Sequence, residues 1–405
     1  TLMGDSFRDF SCQLAGWPLL QWFCGVDQWG VVRVPAKSTL QRYSDWLPQE
    51  EMREVICGLL QGTSVSHDSL KLKQPLDIDS CFLDTTVVKT PIHFPVDWVL
   101  LRDAVRTLMK AVKLIRRQGL KYRMDEPGEF VKKMNRLCMQ MTHVRRKKNA
   151  RKEKKRVLRL MKKLVFVVEG HAQRYRNLLN NRWKETGYSH PQAEQILKRI
   201  DGILEQLPQA KKQAHERIIG EMTVNNKDKI LSLYETDTNV IVRGKAGAEV
   251  EFGNTLLLAE TRDGLIVDWQ LWKKSAPADC CLLSDSLERV KKTLGIKIKN
   301  VGGDRGFDSA ANRLHLVNNK IYNGICPRDP MQLKKQMKKD RFAWLQKRRS
   351  QTEGRIGIFK NQFLGRPLRV KGFTNRHMAV DWAVLTHNLW VIARLPQVES
   401  KQKAA

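Results

Sequence analysis

The chain reads as a mixed α/β protein whose sheet is interrupted, after its first strand, by a long helical insertion. Three observations lead there. A dense β-branched run, "IDSCFLDTTVVK" at 78–89, stands between helical patterns. Almost unbroken helical periodicity follows it over 99–222. Strand patterns return from about 229 and then alternate with helices.

Residues 1–75 carry apolar positions at helical spacing in "FRDFSCQLAGWPLLQWFCG". Ser38 and Thr39 offer a cap signal before the basic, aromatic stretch "LQRYSDWL". A helix-turn-helix and a small helical bundle both fit this segment. After the first strand, "TPIHFPVD" breaks the chain with two prolines. In "VLLRDAVRTLMKAVKLI" and "QAEQILKRIDGILEQL" apolar residues recur at i, i+3, i+4 and i+7. Downstream, "VEFGNTLLLAETRDGLIVDWQLW" predicts a hairpin turning at Asp263-Gly264. "CLLSDSLERVKKTLG" predicts a helix closed by Gly295. A strand "IKIKNVGG", a helix "DSAANRLHLVNN" and a short strand "KIYNGICP" come next. "RDPMQLKKQMKKDRF" reads as a linker, a helical region starts near 340, and "NRHMAVDWAVLTHNLWVIARL" is a closing apolar helix. The predicted domains are therefore a helical segment 1–75, a discontinuous core of 76–98 and 223–395, a basic helical insertion 99–222, and an unstructured tail 396–405.

The 405 residues carry a formal net charge of +31 and are 41% hydrophobic, enough for a real core. So large a positive excess repels itself unless a polyanion shares it, and nucleic acid is the first candidate. No apolar run approaches the length of a membrane span, and "TLMGDSFRDF" has no basic segment leading into an apolar one, so neither a span nor a secretory signal is expected. The eight cysteines form no CxxC and sit at no zinc spacing, which points to reduced thiols and a cytoplasmic location. "VRRKKNARKEKKRVLRLMKK" concentrates Arg145, Arg146, Lys147, Lys148, Arg151 and Lys155 around a single acid. Like charges at i,i+4 destabilise a helix, so phosphates are the expected counter-charge. Lys37 and Arg42 give the first segment a smaller basic face.

Phosphodiester chemistry with divalent ions needs several carboxylates converging on one point. Asp84 lies within the apolar strand "CFLDTTVV", where a carboxylate is costly unless paired or metal-bound. Asp304 follows a strand between Gly302-Gly303 and Gly306, where glycine allows close backbone approach of a ligand. In "QKRRSQTEGRIGIFK" a helix puts Gln346, Arg349, Glu353, Gly357 and Lys360 on one stripe, an acid flanked by cations with room beside it. Arg305 and Arg355, each next to or near one of these acids, are further candidate phosphate contacts. Asp268 is the rival acid, expected instead on the surface of an edge strand. His387 and Asn388 are expected to be structural. His93 is either a loop residue or near the nucleic acid. Trp98, Trp269 and Trp272 are expected in packing rather than in base stacking.

These motifs, in this order, resemble bacterial insertion-sequence transposases of the DDE superfamily. The resemblance spans about residues 20–392 and rests on "FLDTTVVKTPIHFPVD", "RGKAGAEVEFGNTLLLAETRDGLI", "GGDRGFDS" and "RRSQTEGRIGIFK". Arg349, Glu353 and Lys360 fit the Y-(2)-R-(3)-E-(6)-K signature of one branch, with Gln346 where the signature has Tyr. The resemblance implies an RNase H-like core and two Mg²⁺ ions, with Mn²⁺ able to substitute, held by Asp84, Asp304 and Glu353. It implies cleavage of double-stranded DNA at terminal inverted repeats, joining of the freed 3′-OH to target DNA, and a homodimer pairing two ends. The alternatives are an RNase H-like metal-dependent nuclease or resolvase without strand transfer, and an inactive DNA-binding protein.

Overall fold

The computed structural model describes residues 6–28, 30–44, 46, 48–65, 72–74, 76–144, 149–245, 248–295, 297–365, 368 and 370–396. The expected unstructured tail lies, from 397 on, outside them. The chain divides into two compact units: one of Thr1–Pro91 with Ile241–Ala405, the other of Ile92–Val240.

The first unit opens with α1 (Phe7–Gly16), whose N-terminus is closed by a Ser6–Asp9 capping box, and α2 (Pro18–Phe23). A two-stranded antiparallel ribbon, β1 (Asp27–Gln28) and β2 (Val31–Val32), follows. The sequence pattern had read only helix there, because two-residue strands are too short to show a period. α3 (Lys37–Ser44) and α4 (Gln49–Val65) come next, and then β3 (Ser80–Lys89).

The second unit holds α5 (Asp97–Arg117), α6 (Pro127–His143), α7 (Ala150–Arg182) and α8 (His190–Ile218). Its boundaries lie outside the 99 and 222 read from the sequence. The four helices share a core that includes Leu101, Val105, Leu108, Val112, Met134, Met161, Val165, Ile200 and Leu207. Along the antiparallel seam of α7 and α8 the charged residues recur every seven positions. Lys155 pairs with Glu221 at 2.7 Å, Lys162 meets His215 Nδ1 at 3.3 Å, Glu169 pairs with Lys211 at 2.6 Å, and Arg176 pairs with Asp201 at 2.9 Å. Two helices packed along one seam present such positions about once per two turns.

The chain re-enters the first unit within β4 (Asn239–Lys245); β5 (Ala248–Thr261) and β6 (Ile266–Leu271) then precede α9 (Leu283–Leu294), which stops at Gly295 with φ +67°. Then come β7 (Asn300–Gly303), α10 (Ala310–Asn318), β8 (Tyr322–Ile325), α11 (Pro330–Gln336) and α12 (Asp340–Ile358). A π-helical turn (Phe359–Phe363) and α13 (Phe373–Arg394) complete the chain. The supposed linker after β8 is thus partly helix: Asp329 caps α11 by accepting the Met331 N–H, with Pro330 at its first position.

The sheet is mixed and open. Its six strands run β4-β5-β3-β7-β8, with β6 also paired to β5. β3 is antiparallel to β5 and parallel to β7, which is parallel to β8. α4, α9 and α13 gather around β6, and α12 crosses β3, β7 and β8. Met52, Ile56 and Leu60 of α4 belong to this unit's core together with Leu257, Trp269, Leu283 and Val384. The indole N–H of buried Trp269 donates to Asp381 Oδ1 at 2.6 Å, and Trp272 packs against the same core, so both serve packing. Trp98 packs against the helical core of the second unit. No helix among the described residues is long and apolar enough to cross a membrane.

Candidate functional site

The register of the central strands brings the two aspartates together. β3 and β7 run parallel, with Leu83 opposite Gly303. Asp84 is the next residue of β3 and Asp304 the first beyond β7, and Asp304 remains extended at φ −78° and ψ −177°. They therefore lie abreast on strands roughly 5 Å apart. Each carboxylate is held locally: Asp84 Oδ1 accepts the Thr85 N–H at 2.7 Å and Asp304 Oδ1 accepts the Gly306 N–H at 2.8 Å. Both residues are half-buried.

α12 lies over the face of β3 that bears Asp84. Phe82 and Thr86 share that face, two residues to either side. The Arg348 guanidinium stacks 4.8 Å from the Phe82 ring, and Lys360 Nζ donates to Thr86 Oγ1 at 3.2 Å. Glu353, between 348 and 360, falls along the stretch that passes Asp84. Its direction follows from its neighbours. Arg348 and Thr352 face β5, where both donate to Glu260 Oε1, at 2.9 and 2.7 Å. The stripe of Gln346, Arg349 and Glu353 is turned the other way. Gln346 Nε2 donates to Gly324 O in β8 at 2.6 Å, and Arg349 Nε donates to Gln346 Oε1 at 3.3 Å. Glu353 continues that stripe one turn beyond Arg349. Its side chain is exposed, and a Cβ added to Gly354 or Gly357 would meet nothing within 4 Å. Gln346, at the signature's Tyr position, braces Arg349.

The carboxylate oxygens of Asp84, Asp304 and Glu353 are the hard donors a divalent cation such as Mg²⁺ prefers. The two aspartates, side by side and each steadied by one backbone N–H, fit such an ion. Among the described residues no three His, Cys, Asp or Glu side chains gather closely enough to hold one. Glu353 accordingly stands apart from the aspartate pair in this structure.

Several expectations change. The glycines around Asp304 do not clear space for a ligand: none has positive φ, and the Phe82 ring fills the space a Cβ on Gly302 would need, at 2.6 Å. Gly303 faces Phe307, and Gly306 lies against the carboxylates of Asp279 and Asp304. Asp268 is not a surface residue. It is 1% exposed, gripped by both Nε and Nη2 of Arg289 at 3.0 and 2.8 Å and by Ser286 Oγ at 2.7 Å. Arg355 is half-buried against the β5–β6 turn, its guanidinium in the space a Cβ on Gly264 would occupy. Burial lowers its pKa, and Arg348 lowers it further. Arg305 is exposed beside Asp304. Arg151 and Lys155 both pair with Glu221, while Arg145, Arg146, Lys147 and Lys148 lie outside the described residues. Lys37 and Arg42 are exposed on α3, and His93 is exposed after β3. His387 and Asn388 are buried, and Asn388 makes both hydrogen bonds to the Ile266 backbone, a structural role. The cysteines among the described residues are free.

Arg348 and Glu260, each 6% exposed at the side chain, escaped the sequence reading. Their signal was a lone acid closing the apolar run "LLLAE". No protein family's sequence profile, no curated protein and no solved structure matches this chain.

Proposed function

We propose that this protein is a DDE transposase with an RNase H-like core, acting on double-stranded DNA. One observation carries the reading: two aspartates abreast, Asp84 midway along β3 and Asp304 just past the end of the parallel β7, with α12 crossing the same strands. The strand order supports it too. The path β6-β5-β3-β7-β8, three antiparallel strands followed by two parallel ones, is the arrangement expected of an RNase H-like core. Two Mg²⁺ ions, replaceable by Mn²⁺, are to be held by Asp84 and Asp304, with Glu353 drawn in when DNA and metal bind. Bound there, they supply an acidified water and neutralise charge at phosphorus. Asp84 and Asp304 provide anchorage on strands that cannot shift without breaking the sheet. Arg349 and Lys360 neutralise phosphate oxygens near the cut. Water displaces the 3′ oxygen from phosphorus at the element's end, and the freed 3′-OH then attacks a target phosphodiester and displaces the target strand's own 3′ oxygen. The basic second unit and α3 contact the terminal inverted repeats, and pairing of two ends calls for a homodimer.

The test is a labelled duplex carrying the element's end, mixed with supercoiled plasmid. Mg²⁺ is compared with EDTA, and the wild type with Asp304→Asn. The expected result is metal-dependent cleavage and joined product, both lost in the variant. Cleavage without joining would favour a nuclease. DNA binding with no cleavage, unchanged by the substitution, would leave only a DNA-binding protein.

A further inference from the structure

The loop that carries Asp304 is gripped from outside by two residues with no part in the reading above. Asp308, 7% exposed, accepts Arg313 Nη1 on its two oxygens at 3.0 and 3.3 Å and the Arg328 backbone N–H at 3.0 Å. That anchor seats Arg328 just after β8, and its side chain turns back over the Asp304 loop. Arg328 Nε donates to Arg305 O at 3.2 Å, and Nη2 donates to Gly306 O at 3.4 Å.

The first of these bonds is the informative one. Arg305 O and the Gly306 N–H belong to the same peptide group, and that N–H is the donor to Asp304 Oδ1. A guanidinium on the oxygen side of a peptide fixes its plane and polarises it, so its N–H becomes a better donor. The chain of contacts runs from Asp308 to Arg328, through the Arg305–Gly306 peptide, to the Asp304 carboxylate. Asp304 Oδ2 has no hydrogen-bond partner among the described residues. Cys326 N, bonded to Gly303 O at 3.0 Å, ties the same two segments two residues earlier.

We propose that Arg328, seated by Asp308, is a positioning residue: it sets the orientation of the Asp304 carboxylate for a divalent cation through the intervening peptide. The inference rests on the metal-binding reading of Asp304. Partners one shell behind a metal ligand change affinity by about 10–100-fold when removed.

The experiment is an Mn²⁺ titration of the full chain, without DNA, followed by the electron paramagnetic resonance signal of free Mn²⁺. The wild type, Asp304→Asn, Arg328→Ala and Arg328→Lys are compared. We expect Asp304→Asn to lose the site and Arg328→Ala to weaken it about 10-fold or more. Arg328→Lys, which can reach one carbonyl only, should recover part of the loss, and duplex affinity in EDTA should be the same for both Arg328 variants and the wild type. Wild-type Mn²⁺ affinity in Arg328→Ala, alongside loss in Asp304→Asn, overturns the inference and leaves the metal reading standing. Absence of Mn²⁺ binding by the wild type, or wild-type binding by Asp304→Asn, overturns both.

Discussion

Arg348 is the residue on which the placement of α12 turns. Its guanidinium bonds Glu260 Oε1, Arg262 O at 2.6 Å and Thr261 O at 2.8 Å, and stacks on Phe82. Removing one member of a buried pair strands the other's charge, which typically costs about 3–5 kcal/mol. Arg348→Met should therefore destabilise the protein by about 3 kcal/mol or more in urea unfolding, and Arg348→Met with Glu260→Leu should recover much of it. A double variant no better than the single would mean that the backbone carbonyls, not Glu260, are the main partners. His387 offers a second residue-level test. It is 2% exposed, its Nδ1 has no hydrogen-bond partner, and Phe359, Phe363 and Trp390 surround it. Burial lowers its pKa to about 4; a bond with Asn388 opposes this and Arg355 adds to it. A depressed folded pKa means that the unfolded chain takes the proton first. The neutral ring's contribution is whole above about pH 6.5 and is lost as the pH falls from there to about 4. At about 1.4 kcal/mol per unit this amounts to roughly 3 kcal/mol. His387→Leu should lose less stability than the wild type between pH 7 and 4.5. Parallel pH curves for the two proteins would show that His387 does not titrate in that range.

Among elements, α12 carries two glycines in its last two turns. Gly354 and Gly357 each cost about 1 kcal/mol relative to Ala, and an added Cβ at either would meet nothing. Gly354→Ala and Gly357→Ala should each stabilise the fold by up to about 1 kcal/mol. Under the proposed function they should also slow DNA cleavage, because the open space beside Glu353 is where the substrate would lie. Stabilisation with undiminished cleavage would show that the clearance is not used. This element also marks what the sequence could reveal. Long amphipathic helices, the β3 run, the Asp263-Gly264 hairpin and the Gly295 stop were legible because each is written in local spacing. The stripe from Gln346 to Glu353 was legible for the same reason. Asp268 was misread because Arg289 and Arg53 reach it from other elements. The glycines before Asp304 were misread because Phe82, some 220 positions earlier, fills the space at Gly302. α11 was missed because it buries no residue, leaving only its Asp-Pro start as a signal.

At the scale of the whole molecule the question is where the charge of +31 resides. Residues 92–240 hold 34 Lys and Arg against 16 Asp and Glu, an excess of 18 and more than half of the total. α7 divides its cations between two faces. Lys155, Lys162 and Arg176 meet α8 or the chain just beyond it, and two of the three are neutralised there. Lys152, Arg159 and Lys163 are exposed and have no ion-pair partner among the described residues, with Phe166 a turn further on and 74% exposed. Only the second set keeps its full attraction for a polyanion, since a cation already paired has less to gain from phosphate. Each phosphate neutralised releases condensed counterions, giving a slope of log affinity against log salt of about −0.9 per contact. Arg159→Ala with Lys163→Ala should therefore reduce the magnitude of that slope for duplex binding by about 2 and weaken binding most at low salt. Arg176→Ala, taken from the seam, should leave the slope unchanged. If both variants alter it equally, the charge acts as a diffuse field and α7 has no phosphate-contacting face.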